Sequence, residues 1–189
     1  MGILLILGSY LFGSISPARI IANIYDVDLT SGGTKNPGAT NVYKLVGPGW
    51  GIFTAFADLF KGIIPTLVAL RVFDAGLVVL ALVGLSAVAG HNWPLYYNFR
   101  GGRGLATSLG TLAAYDFFLI FFPFVLSVIM AALTIKIFNK KIRIPVYLYP
   151  IYILTNLIFK SNGYLLVYTF LLMIVALIRA WQLNNRPVS

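Results

Sequence analysis

Gly163-Tyr164-Leu165-Leu166-Val167-Tyr168-Thr169-Phe170-Leu171-Leu172-Met173-Ile174-Val175-Ala176-Leu177-Ile178-Arg179-Ala180-Trp181 holds a single charged residue, and that one near its end. A hydrocarbon core about 30 Å thick is crossed by roughly 20 apolar residues in helical form. A helix apolar on every side has no face to offer water, so lipid is its solvent. The same texture recurs upstream near 2–24, 50–73, 76–90, 105–115, 117–138 and 144–160. Together these predict an all-α membrane protein, a polytopic bundle of about seven transmembrane helices. The run 105–115 is the shortest, and short spans are tolerated only where protein covers them.

The whole chain agrees with its parts. Hydrophobic residues make up 59% of the 189 and charged residues 10%, where a soluble domain carries about 25% charged residues. The connections are short and none is a linker, so residues 1–189 read as one integral membrane domain. No internal repeat of the kind that marks many transporters is visible. The net charge of +9 is distributed between apolar runs rather than along a stripe, which suits anionic headgroups and not nucleic acid. Cysteine is absent, which excludes disulfides and thiolate chemistry. Met1 to Phe12 lacks a basic leader and reads as a retained span.

Orientation follows from the connections. Arg19, Lys35, Lys44, Arg100, Arg103, Lys136, Lys140, Lys141, Arg143, Arg179 and Arg186 fall on one side, against Arg71 and Lys160 on the other. Basic residues collect on the cytoplasmic side. Loops 25–49 and 91–104 are therefore expected in the cytoplasm and the N-terminus outside.

Those two loops hold most of the polar chemistry. The first contains Ser31-Gly32-Gly33-Thr34-Lys35-Asn36-Pro37-Gly38-Ala39-Thr40-Asn41. Closely spaced glycines let backbone N–H groups converge on an anion. Asn36, Thr40 and Asn41 add donors, Lys35 and Lys44 add charge, and the helix after Asn41 turns its positive end the same way. An ordinary surface turn uses the same residues. The glycine spacing is not that of a Walker A loop. The second loop contains Gly90-His91-Asn92-Trp93-Pro94 and Asn98-Phe99-Arg100-Gly101-Gly102-Arg103-Gly104-Leu105-Ala106-Thr107. Arg103 between glycines can offer a bidentate fork to phosphate. His91 suits a hydrogen bond at the membrane interface, and Trp93, Tyr96 and Tyr97 suit the aromatic belt. Asp58 and Lys61 share one face of the second span, as a buried ion pair or as part of a membrane pocket for phosphate. The Lys136–Arg143 cluster suits topology and headgroups.

These motifs resemble those of the bacterial acyl-phosphate:glycerol-3-phosphate acyltransferases, the PlsY family. Gly33-Thr34-Lys35-Asn36-Pro37-Gly38-Ala39-Thr40-Asn41-Val42 is similar to the family's Gly-Ser-Gly-Asn-Pro-Gly-Ala-Thr-Asn-Val. Asp58-Leu59-Phe60-Lys61-Gly62 resembles its Asp-x-x-Lys-Gly, and Gly90-His91, Pro94 and Phe99 to Thr107 follow its Gly-His-x-x-Pro and Phe-x-Gly-Gly-Lys-Gly-Val-Ala-Thr. Gly13-Ser14-Ile15 echoes its first helix. The resemblance spans residues 13–110.

It implies a multi-pass enzyme of the bacterial cytoplasmic (inner) membrane. Such an enzyme moves an acyl chain from acyl-phosphate to the 1-hydroxyl of glycerol 3-phosphate, giving lysophosphatidic acid with no metal and no cofactor. The implied partners are those two substrates and membrane lipids. Asn36, Thr34 (at the family's Ser), Lys61 and Asn184 are the residues implied at the reacting groups. Gly38, Ala39, Thr40, Asn41, Lys44, His91, Arg100, Gly101, Gly102, Arg103 and Gly104 are those implied in binding phosphate or substrate. Lys44 stands where the family has Arg and Arg103 where it has Lys. Lys35 replaces a loop glycine. In the third motif, His-x-x-Asn-Ile-x-Arg-Leu, Asn184 stands at the Asn and Trp181 at the His. A catalytically silent homologue, or a small membrane transporter or binder of phosphate-bearing lipids, is the alternative reading.

Overall fold

The computed structural model describes residues 1–115, 122–130, 133, 145–158 and 163–185. The Lys136–Arg143 cluster, Asp116, Lys160, Arg186 and much of the expected span 117–138 lie outside the described residues. Every regular element described is helical. In chain order these are α1 (Gly2–Ser14), α2 (Pro17–Ile24), α3 (Ala39–Leu45), α4 (Pro48–Leu67), α5 (Leu77–Asn92) and α6 (Leu105–Tyr115). They are followed by α7, which includes residues 122–130, then α8 (Pro145–Ile158) and α9 (Gly163–Asn184).

Local chemistry sets the helix ends. Ser16 caps α2 by accepting from the Arg19 N–H at 3.4 Å, with Pro17 at the first helical position, where a missing N–H costs nothing. Pro48 opens α4 in the same way. Pro65 sits inside α4 and denies the Lys61 carbonyl its helical donor. A π-helical turn, Val68–Val72, carries the chain on from there. Among the described residues, four segments are long and apolar enough to cross a membrane: Gly2–Ile24, Pro48–Val72, Leu77–Tyr97 and Gly163–Leu183. The expected span at 105–115 is α6, only 11 residues long and covered by protein.

The protein is apolar outside and polar within. Leu4, Val78 and Phe56 are 69%, 68% and 57% exposed, while Ser9, Thr54, Asp58, Lys61, Thr107 and Thr111 are buried. Such an arrangement is stable only in lipid, where each buried polar group must find a partner within the protein. Ser9 accordingly donates to the Val83 carbonyl at 2.7 Å, joining α1 to α5. Thr107 donates to the Asp58 carbonyl at 2.9 Å, joining α6 to α4. At that crossing a Cβ on Gly62 would run into the Thr107 carbonyl, and one on Gly110 into the Leu59 carbonyl. The two backbones touch, as small residues allow between membrane helices. Leu112, Tyr149, Tyr152, Tyr168 and Leu172 form a cluster that ties α6 to α8 and α9.

The crossing of α4 separates Lys35, before it, from Asp74, after it, and both are exposed. Single cysteines at these positions should react with a membrane-impermeant maleimide from opposite sides of the bilayer. The chain has no other cysteine, so labelling from the same side would remove that crossing outright.

Candidate active site

The first polar loop is held by its own side chains. Asp28 accepts from the Thr30 N–H and hydroxyl, both at 2.7 Å, and these bonds, the hydroxyl's first, hold its carboxyl below the usual carboxylate range. Asn41 is fully buried. Its carbonyl oxygen accepts from the Thr34 N–H at 2.7 Å, and its amide donates to Leu29 and Gly32 carbonyls at 2.8 and 3.3 Å. Gly33 and Lys35 take left-handed backbone, with φ of 59° and 52°. Gly38 is extended, φ −161° and ψ 173°, and opens α3 with no side-chain cap. The N–H groups at the start of α3 are therefore left without a side-chain acceptor.

The second loop leaves α5 through left-handed Asn98 and Phe99. It folds back so that Gly101 and Gly102 donate to the Asn92 and His91 carbonyls at 3.2 and 3.1 Å. Gly104, at φ 75°, then turns the chain into α6. The first helical bond there runs from Ser108 N–H to the Gly104 carbonyl at 2.8 Å. The N–H groups of Leu105, Ala106 and Thr107 have no acceptor within the helix.

The two loops meet at one cleft of about 560 Å³. Its polar end is formed by Thr34, Asn36, Thr40, Asp58, His91 and Arg103, with backbone from Gly38–Ala39 and Gly104–Ala106. The starts of α3 and α6 thus border the same space as the Arg103 side chain, a combination that favours an anion. The Asn36 carbonyl oxygen is buried there with no hydrogen-bond partner among the described residues. Tyr149 and Pro150 of α8 and Met173, Ala176, Leu177 and Ala180 of α9 form the other, largely apolar wall. A second hollow of about 480 Å³ lies beside α2, where Asp26 and Asp28 would oppose an incoming anion.

Behind the polar end is a buried ionic cluster. Lys61 bonds Asp58 at 2.8 Å and donates to the Ile15 and Gly13 carbonyls at 2.8 and 3.4 Å. The His91 Nδ1 lies 3.4 Å from the same Asp58 oxygen and 3.2 Å from Lys61 Nζ. Removing one partner of a pair this deep costs about 3–5 kcal/mol. The three ammonium protons are thereby accounted for, and Lys61 reaches the cleft through Asp58 and His91, which both line it.

The structure thus brings Thr34, Asn36, Gly38, Ala39, Thr40, His91, Arg103 and Gly104 together. Asn41 faces away, spent on pinning the loop. Lys44 is exposed at the last turn of α3. Arg100 is exposed too, and its carbonyl accepts from Arg19 at 2.7 Å. Gly101 and Gly102 pack against α5 rather than lining the cleft. Asn184 closes α9, and its side chain lies outside the described set. Trp181, which the resemblance sets at the histidine of the third motif, is 66% exposed, and the α9 residue beside it that borders the cleft is Ala180. The α9 wall was not anticipated, although Met173, Ala176, Leu177 and Ala180 follow helical spacing and bring small residues into an otherwise bulky helix.

A family model described as glycerol-3-phosphate acyltransferase matches residues 3–187. The chain belongs to the glycerol-3-phosphate acyltransferase family. Similar family members include the glycerol-3-phosphate acyltransferase of Shouchella clausii, 38% identical over 94% of this chain and 86% of its own. That of Halalkalibacterium halodurans is 35% identical over 96% and 88%. Among solved structures, the integral membrane glycerol 3-phosphate acyltransferase PlsY (YgiH), in its glycerol 3-phosphate form, superposes with a TM-score of 0.81. It is 30% identical, over 98% of this chain and 90% of that one. The lysophosphatidic acid form gives 0.80 at 28% identity over the same shares. This protein is accordingly a multi-pass membrane protein.

Membership of the acyltransferase family gives the backbone at Lys35 a reading. The family's glycine falls on a left-handed position, where an L-residue costs about 1–2 kcal/mol. Glycine brings an unfolded-state cost of roughly 0.5–1 kcal/mol. Lys35→Gly should therefore be more stable by about 0.5–1 kcal/mol, seen as a higher melting temperature in detergent. A lower one would mean that Lys35 makes a contact worth more than its strain.

Proposed function

We propose that this protein transfers an acyl chain from acyl-phosphate to the 1-hydroxyl of glycerol 3-phosphate, releasing inorganic phosphate and forming lysophosphatidic acid. One observation carries the reading: a single cleft is polar at one end, where Arg103 meets the starts of α3 and α6, and apolar along the other wall. A phosphate bound covalently to a fatty chain has that same division. The apolar wall of α8 and α9 takes the chain, and the backbone of Asn36 to Thr40 takes the donor's phosphate. Arg103 takes the acceptor's phosphate, and Thr34 and Asn36 orient the reacting groups. Asp58 and Lys61 hold His91 beside them.

Little chemistry is asked of the side chains. The acceptor oxygen attacks the acyl carbonyl carbon, the bond from that carbon to the phosphate oxygen breaks, and the departing phosphate takes the hydroxyl proton. The protein positions two anions and offsets their repulsion. The enzyme is a single domain of about seven spans in a bacterial inner membrane, with loops 25–49 and 91–104 in the cytoplasm and the N-terminus outside, an orientation that the charge bias supports.

Purified protein given acyl-phosphate and glycerol 3-phosphate should release lysophosphatidic acid and inorganic phosphate in equal amounts. Failure to form product in a folded preparation would leave the silent homologue. Arg103→Ala should raise the acceptor KM by a factor corresponding to about 2–5 kcal/mol, and Arg103→Lys should keep most of the activity. Gly38→Ala separates turn from cradle. The position is extended, and the added Cβ meets only the Asn36 amide nitrogen, at 3.3 Å, so melting should hold while transfer falls about tenfold or more. Full transfer in Gly38→Ala would remove the backbone cradle.

A further inference from the structure

Arg179 is the one charge in the quoted stretch of α9, and from sequence it counts only toward topology. Its side chain does not meet headgroups, since the residue is 2% exposed. The guanidinium donates through Nη2 to the Gly101 carbonyl at 2.7 Å and through Nε to the Gly102 carbonyl at 3.0 Å. Its Nη1 donates to Gln182 at 3.2 Å, and the same Gln182 oxygen accepts from the Trp93 indole at 2.9 Å. The guanidinium lies over the Trp93 ring, 5.5 Å from its centroid. Two successive peptide groups of the second loop are thus bridged by one rigid fork.

We infer that Arg179 is a positioning residue for the acceptor site, which sets Arg103 by clamping the Gly101–Gly102 backbone between α5 and α9. The inference rests on the acyl-transfer reading above for its kinetic part alone. Arg179 does not line the cleft; it acts on the acceptor site through the loop that it bonds, and the lysine variant, which keeps the charge, separates that contact from the field of Arg179 on His91. The opposite side of that loop is already fixed. Gly101 and Gly102 N–H groups bond the C-terminal end of α5, and a Cβ on Gly101 would collide with the His91 carbonyl, one on Gly102 with the His91 ring. Hydrogen bonds on both faces leave the segment no freedom, and Arg103 is the next residue. Lysine at 179 keeps the charge but has no fork with which to span two carbonyls.

The test compares the parent protein with Arg179→Lys and Arg179→Met. Arg179→Met should raise the KM for glycerol 3-phosphate roughly tenfold to a hundredfold and leave the KM for acyl-phosphate within about twofold. Arg179→Lys should fall between. Hydrogen exchange should accelerate in the peptide spanning 99–104 and stay unchanged across α4. A merely structural arginine would instead lower the yield of folded enzyme with both KM values unchanged, and that result overturns the inference. So would equal rises in the two KM values, or unchanged exchange at 99–104. If the parent transfers no acyl group, the proposed function has failed, and the clamp is judged on exchange and on calorimetric titration with glycerol 3-phosphate. Parental exchange and parental affinity in Arg179→Met would then refute it.

Discussion

Everything at the cleft depends on how closely α4 and α6 pass. With glycine at 62 and 110 the two backbones touch, and Thr107 spends its hydroxyl on the Asp58 carbonyl at the same level. That contact fixes where α6 begins relative to Asp58. It places Arg103 and the first turn of α6 across from the loop that leads into α3 and α4. Two glycine-rich segments far apart in sequence become opposite sides of one cleft because two helices meet backbone to backbone. In lipid, where apolar surface gains nothing by meeting other apolar surface, such close van der Waals contact supplies much of the association.

The buried ionic cluster acts on the same geometry from the other side. Lys61 donates to carbonyls at the end of α1, where the chain leaves for α2, and to Asp58 on its own helix. The pair therefore locks α1 to α4 at the depth of the cleft, and His91 joins it from α5. Three helices are registered by one charge pair, which explains why so expensive a feature sits at membrane depth. Its cost is offset by donors and acceptors that are nearly all satisfied within the cluster.

Much of this was legible in the sequence, and what was missed has physical causes. The stretch 163–181 announced a membrane helix because charge and hydropathy are properties of residues taken singly. The loops holding Gly33 to Asn41 and Gly101 to Gly104 stood out because glycine beside cation and amide is a local signal, and both loops border the cleft. Asn41 looked like a ligand for the same reason, yet its amide is consumed by the loop it terminates, which only three-dimensional closure reveals. Of the closely spaced glycines only Gly33 takes left-handed backbone, which Lys35 shares, while Gly38 is extended. Nor could a linear motif decide which residue of α9 faces inward. One step along a helix turns a side chain by about 100°, and that step separates exposed Trp181 from Ala180 at the cleft. Arg179 was counted with the topology charges, since the carbonyls it bridges lie far back in the chain.

The position of α9 has a consequence for biogenesis. It brings most of the apolar wall and the Arg179 fork, and it follows the other described helices in the chain. Membrane insertion proceeds from the N-terminus as the ribosome translates, so the two polar loops exist before the cleft has its α9 side. Until α9 arrives, the Gly101–Gly102 segment is tethered on one face only, and the cleft is an open notch toward lipid. The α9 side of the cleft and the second tether of the loop thus arrive in one event.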